Sequence, residues 1–228
     1  MRGLRSVLIV LALLLSACAT NSRTQSTTTF APLQVPATAT TEPTASGRSV
    51  APETSGDSES LRQGTACGVE RWPVKTGSDA DIGHVTLGHP IQTTVGHLDS
   101  LAQPTDLPPD NRIAPVETSE WTVDATLIEY KIEADSDVHL VIHDSAGRSM
   151  IAEIPHPSCV SASSPLRPSI AAVRTLFDQR FAPETSWRHA GVGVVITGLG
   201  FWDKLHGQTG VAPNGIEIHP VLAMSSAP

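Results

Sequence analysis

The order in which the hydrophobic repeat changes along residues 121–224 constrains this chain more than any other feature. "WTVDATLIEYKIE" (121–133) alternates, which predicts a strand with Ile128, Tyr130 and Ile132 on one face and Glu129, Lys131 and Glu133 on the other. "DVHLVIHD" (137–144) and, after the turn at 145–148, "SMIAEIP" (149–155) read as two further strands. Helical spacing then takes over in "SPLRPSIAAVRTLFDQRF" (164–181), where Ile170, Val173, Leu176, Phe177 and Phe181 form one apolar stripe behind Pro168 and Ser169. "GVGVVITGLGFW" (191–202) is a glycine-rich strand, and "GIEIHPVLAM" (215–224) is the last one.

Three antiparallel strands, a helix and two more strands resemble the OB-fold, a five-stranded Greek-key barrel with its helix between strands three and four. The expected class is therefore mainly β: an OB-like barrel over 121–224, with a small β-sandwich carrying one helix as the alternative. Gly191, Gly193, Gly198 and Gly200 would let the fourth strand bend around such a barrel. The resemblance implies a ligand face on strands two and three, flanked by the loops after strands one and four, here 134–137 and 203–215.

Residues 61–120 read as a loop-rich lead-in to the same domain, with one or two short strands. Pro104, Pro108, Pro109 and Pro115 argue against regular helix there. In "ERWPVKTGSD", Trp72 reads as a core anchor, with Glu70, Arg71 and Lys75 in surface ion pairs. A platform for sugar or peptide is the other reading of this block.

The N-terminus has two arginines in "MRGLRS", the apolar run "VLIVLALLLSA", and then Cys18. The run is too short for a membrane span of roughly 20 residues and has the order of a secretion signal. Leu15-Ser16-Ala17-Cys18 resembles the lipobox of bacterial lipoproteins. That implies a signal peptide over 1–17 and acylation of Cys18, which would attach the chain to a membrane at the cell envelope. Ala19 follows the cysteine, and in a Gram-negative host the sorting rule of such proteins would send it to the outer membrane. Residues 18–60, rich in Thr, Ser, Ala and Pro, read as a disordered tether of roughly 35 Å average span.

Two other cysteines remain, Cys67 and Cys159. Export to an oxidising compartment and an even count predict that they pair. Loss of Arg2 and Arg5 with the signal would leave thirteen basic side chains against 23 acidic ones. Nucleic-acid binding rests on neutralising phosphates, so the composition disfavours it.

No GxSxG elbow, P-loop, dinucleotide fingerprint, HExxH or paired CxxC is present. His139 and His143 are four apart, about 13 Å on a strand, too far to share a zinc ion. Glu217 and His219 are two apart on a strand, share a face and could hold a divalent cation. Glu133, Asp135, Asp137 and His139 recur at the same period and could hold calcium, though a solvated hairpin turn accounts for them as well. The arginines that would hold a phosphate (Arg71, Arg112, Arg148) are scattered.

"CGVERWPVKT", "DVHLVIHD", "MIAEIP" and "HGQTGVAPNGIEIHPV" also resemble recurring blocks of an uncharacterised family of exported bacterial proteins, which implies no particular activity. Two functional expectations follow. The first is a lipid-anchored binding or envelope-structural protein, with no catalytic residue and no cofactor. Its ligand-binding rim would comprise Asp135, Asp137, His139, His206, Asn214, Glu217 and His219, and its partner would be an envelope glycan or protein. The second is a hydrolase of nuclease or phosphoesterase type, with a metal near Asp135, Asp137, Glu217 and His219.

Overall fold

Six strands in one sheet organise residues 66–227, the part of the chain that the computed structural model describes. The expected signal peptide, the lipidated Cys18 and the tether lie outside the described residues. In chain order the strands are β1 (Thr86–Thr93), β2 (Ser119–Ile132), β3 (Val138–His143), β4 (Ser149–Ile154), β5 (Arg188–Trp202) and β6 (Ile216–Ser226). Three helices accompany them: α1 (Trp72–Thr76), α2 (Val95–Asp99) and α3 (Arg167–Phe181). The fold is mainly β, as expected, with one strand more than five because the lead-in supplies β1.

The strand order is β1-β2-β3-β4-β6-β5, and a further pairing of β2 with β5 closes the last five strands into a ring. Within the ring every pairing is antiparallel except β4 with β6, which is parallel. At 14 residues, β2 is long enough to pair with β3 and β5 on its two sides.

The expected alternation in β2 breaks at Ile128. The register with both neighbours shifts between Leu127 and Glu129, so Leu127 and Tyr130 are both buried and Ile128 is only half-buried. One extra residue in a strand has this effect, and it bends the strand. In β5 the bend falls where glycine was expected to allow it: the register with β6 shifts on either side of Gly198. A Cβ at Gly198 would stand 2.6 Å from Ile218, and one at Gly200 would stand 2.7 Å from the Val116 carbonyl.

The interior is filled by Leu140, Ile142, Met150, Ala152, Ile154, Val194, Ile196, Ile216 and Ile218, all fully buried. From α3, Val173 and Phe177 join this core, and Tyr130 meets Phe177 edge-on at 5.2 Å. The helix stripe differs from its expectation at one place. Leu176 is 44% exposed, while Arg174 is buried and donates to the Ser136 carbonyl at 2.9 Å.

The lead-in is more ordered than its prolines suggested. Pro73 sits in the first turn of α1, where a missing N–H costs nothing. Arg71 is not in a surface ion pair. It makes a two-pronged buried pair with Glu117, at 2.6 and 2.9 Å, and also donates to the carbonyls of Trp202, Pro108 and Asn111. These bonds hold Arg71 in the left-handed region at φ 46°. A second buried pair, Arg112 with Asp79, fastens the same segment. Cys67 and Cys159 are disulfide-bonded across a sequence separation of 92. Trp72, half-buried rather than a core anchor, donates its indole N–H to the Cys159 carbonyl.

Candidate functional site

Period two in β3, β4 and β6 sorts their side chains to two faces. Val138, Leu140 and Ile142, then Met150, Ala152 and Ile154, then Ile216 and Ile218 point into the apolar interior. The residues between them, His139, Glu153, Glu217 and His219, therefore share the opposite face. His139 stands directly across the ladder from Glu153, and Glu217 across from Ile151. This face is not open to water: the four residues are 0–7% exposed.

Covering them are Glu70 and Lys75 from the lead-in and Asp203, His206 and Gln208 from the loop between β5 and β6. Together with Glu133, Asp135, His139, Glu153 and Glu217 they line a cavity of about 30 Å³. One water needs roughly 10–15 Å³ on this measure, so the cavity has room for a water or two, or for an ion.

His139 is fixed from both sides. Its Nε2 lies 2.9 Å from the Thr209 carbonyl, an acceptor, so that nitrogen carries a proton. Its Nδ1 lies 3.1 Å from Glu153 Oε1 and 3.4 Å from Glu133 Oε1. Burial alone would hold this imidazole down. The hydrogen bond to Glu153 and the charges of Glu153 and Glu133 outweigh it and raise His139 to about 9.

The other Glu153 oxygen, Oε2, approaches His219 Nδ1 at 3.0 Å, while His219 Nε2 is 3.6 Å from Asp137 Oδ2. The first is not aligned as a hydrogen bond, and the second is too long for one. Both nitrogens of His219 and Oδ2 of Asp137 are buried without a hydrogen-bond partner. Burial opposes the charge on Glu153, yet His219, His139 and Lys75 hold its carboxyl well below the usual range. His219 is raised well above its usual value against its own burial, chiefly by the charge of Glu153.

Glu217 and Asp203 go the other way. Burial, Asp203 and Glu153 push Glu217 up to about 7, and burial raises Asp203 despite the nearby Lys75. Lys75 is itself raised: the charges of Glu153, Asp203, Glu217 and Asp137 overcome a burial that would lower it.

The expected rim residues separate accordingly. Asp135, Asp137, His139, Glu217 and His219 come together, but as a buried cluster and not as a solvated rim. The hairpin turn at 133–137 is real, closed by the Glu133 N–H to the Asp137 carbonyl. Its carboxylates are buried rather than solvated: Asp135 Oδ1 accepts from the Asp137 N–H, and Asp137 Oδ1 from the His156 N–H. His206 lines the cavity, with Nε2 3.8 Å from Asp203 Oδ2. Asn214 does not line it. Its amide donates to the Leu98 and Leu101 carbonyls, and its oxygen accepts from the Ile216 N–H, so it fastens the loop. His143 lies at the far end of β3 from the cluster.

Sequence reasoning missed Glu153, Asp203 and Gln208, and it read Glu70 and Lys75 as surface ion pairs or as part of a sugar or peptide platform rather than as lining this cavity. For Glu153 a signal existed: it is the one charge in "MIAEIP", on the period of His139's partner positions. For Lys75 none did. The scattered arginines are accounted for, since Arg71 and Arg112 are in buried pairs and Arg148 pairs with Asp144 at 2.7 Å. None lines the cavity.

No protein-family model matches the chain, and no curated protein matches it.

Proposed function

We propose that this is an exported, lipid-anchored binding module on an OB-like barrel, and that its ligand is a divalent transition-metal cation held by Glu133, His139 and Glu153. One observation carries the reading. The three side chains offer donor atoms within 4.8 Å of one another at the cavity, and the Nε2–H of His139 donates to a backbone carbonyl. Histidine ligands are oriented in just this way, with one nitrogen tied to a carbonyl and the other turned to the ion. Imidazole with two carboxylates suits Mn²⁺ or Zn²⁺ better than Ca²⁺, which prefers oxygen alone.

The OB-like reading is supported by the closed ring of five strands, the parallel β4–β6 pairing and the place of α3 between β4 and β5. On that reading the cavity lies on the face of the second and third barrel strands, between the two loops that flank ligands in such barrels. The lipobox and the disulfide support a place at the cell envelope. Titration calorimetry of chelator-treated protein with Mn²⁺, Zn²⁺ and Ca²⁺ tests the reading. Binding of Mn²⁺ or Zn²⁺ that weakens at least tenfold in Glu153→Gln is expected, and no binding of any of the three would end it.

A hydrolytic reading draws on Glu217, buried at the cavity wall with its carboxyl raised to about 7, the range useful to a general acid or base. The size of the cavity and its lack of arginine weigh against phosphoester substrates. Turnover of an aryl phosphate by the metal-loaded protein, abolished in Glu217→Gln, would favour hydrolysis. Its absence would leave binding alone.

A further inference from the structure

The donor set at the mouth leaves the deeper half of the cluster unexplained. Asp137 and His219 are fully buried, and Oδ2 of the one and both nitrogens of the other have no hydrogen-bond partner. They face one another, His219 Nδ1 at 3.0 Å from Glu153 and Nε2 at 3.6 Å from Asp137, but without hydrogen bonds. A buried polar atom left so costs on the order of 1–3 kcal/mol, which an ion on one ring nitrogen and the two carboxylates would offset. Asp137, Glu153 and His219 also offer donor atoms within 4.8 Å of one another.

Glu153 belongs to both sets, and it divides its oxygens between them: Oε1 faces His139 and Oε2 faces His219. Resting on the single-cation reading above, we infer that the site holds a second divalent cation, deeper than the first, on Asp137, Glu153 and His219, with the Glu153 carboxylate bridging the two ions. Bridged ions of this kind stand roughly 3.5–4 Å apart.

The balance of charge points the same way. Seven carboxylates (Glu70, Glu133, Asp135, Asp137, Glu153, Asp203 and Glu217) stand with four groups able to carry positive charge, Lys75, His139, His206 and His219. One ion at the mouth takes the place of the proton on His139 Nδ1 and leaves the inner acids facing only Lys75 and His219. Lys75 is the rival for the inner position, because its ammonium already lies among Glu153, Asp203, Glu217 and Asp137.

The test uses the full chain in detergent, stripped with chelator, loaded with Mn²⁺ and freed of excess ion. Metal content is read by mass spectrometry and spin coupling by electron paramagnetic resonance. Two ions per chain with a spin-coupled spectrum are expected. Asp137→Asn and His219→Gln should each bring the content to one and replace the coupled spectrum by that of an isolated ion. One ion per chain in the wild type, lost in Glu133→Gln but kept in Asp137→Asn, would overturn the second position and leave the single-cation reading standing. No ion at all would overturn both. The wild-type content and spectrum decide the matter even if an inner variant fails to fold.

Discussion

Glu153 stands directly across the β3–β4 ladder from His139, with its Oε1 3.1 Å from the imidazole Nδ1. The same carboxylate reaches His219 with its other oxygen. One acid on one strand thus links the histidines of β3 and β6, and the account of this molecule turns on that link.

Glu153→Gln should be the most damaging conservative change in the cluster. It leaves two buried imidazoles without the charge that keeps them protonated. Breaking a buried pair from one side costs about 3–5 kcal/mol. Urea unfolding of the chelated protein at neutral pH is the measurement. A loss below ~1 kcal/mol would show that the histidines are held by something else.

Lys75→Met removes the one permanent cation from among four acids. In chelated protein we expect a loss on the order of 1–3 kcal/mol, because buried acids lose the nearby charge that offsets them. Added Mn²⁺ or Zn²⁺ should restore part of it, because an ion binding only the folded state stabilises it by mass action. A variant as stable as the wild type without metal would remove Lys75 from the charge balance.

The pH dependence has a definite sign. His139 is raised to about 9, so its contribution is complete below the unfolded value near 6.5 and is lost as pH rises through 9. Glu217, raised to about 7, acts the same way at lower pH: its contribution is complete below about 4.5 and gone above 7. Between pH 7 and 9 the folded chain therefore holds on His139 a proton that the unfolded chain has released, while the corresponding window for Glu217 lies lower, between about 4.5 and 7. Stability should fall by up to ~1.4 kcal/mol per pH unit for each such proton in its window. Urea midpoints of chelated protein that stay level or rise between pH 7 and 9 would contradict the His139 assignment.

The disulfide is a separate matter. Cys67–Cys159 closes a sequence separation of 92, worth about 4–5 kcal/mol on a chain-entropy basis. The double variant Cys67→Ala/Cys159→Ala should lose most of that. It should also loosen α1, because the Trp72 indole is tied to the Cys159 carbonyl. Amide exchange that speeds up in α1 but not in β3 is the expected pattern.

Much of this fold was legible from period alone. The strands at 121–133, 137–144 and 149–155 and the helix at 164–181 stand within a few residues of their expected ends, because each buries one side of a regular pattern. The bulge at Ile128 was not legible, because a single inserted residue leaves the apolar count unchanged. Glu217, His219 and the acids of the 133–137 turn were found by their spacing. Their burial was not, since it depends on α1 and the 203–215 loop folding over them from distant parts of the chain. Lys75 was misread for the same reason: a lysine beside a tryptophan looks like surface until the strands beneath it are known to carry acids. Asn214 shows the opposite error, an amide in a polar loop that serves only to tie down backbone.

On the reading proposed above, the cavity beneath α1 and the β5–β6 loop is built for a metal cation. Anomalous diffraction from crystals grown with Mn²⁺ or Zn²⁺ tests it most directly. The expected result is a peak among Glu133, His139 Nδ1 and Glu153, absent from Glu153→Gln crystals grown in the same way. A fully loaded crystal with no peak in the cavity, or with peaks only on exposed side chains elsewhere, would contradict it.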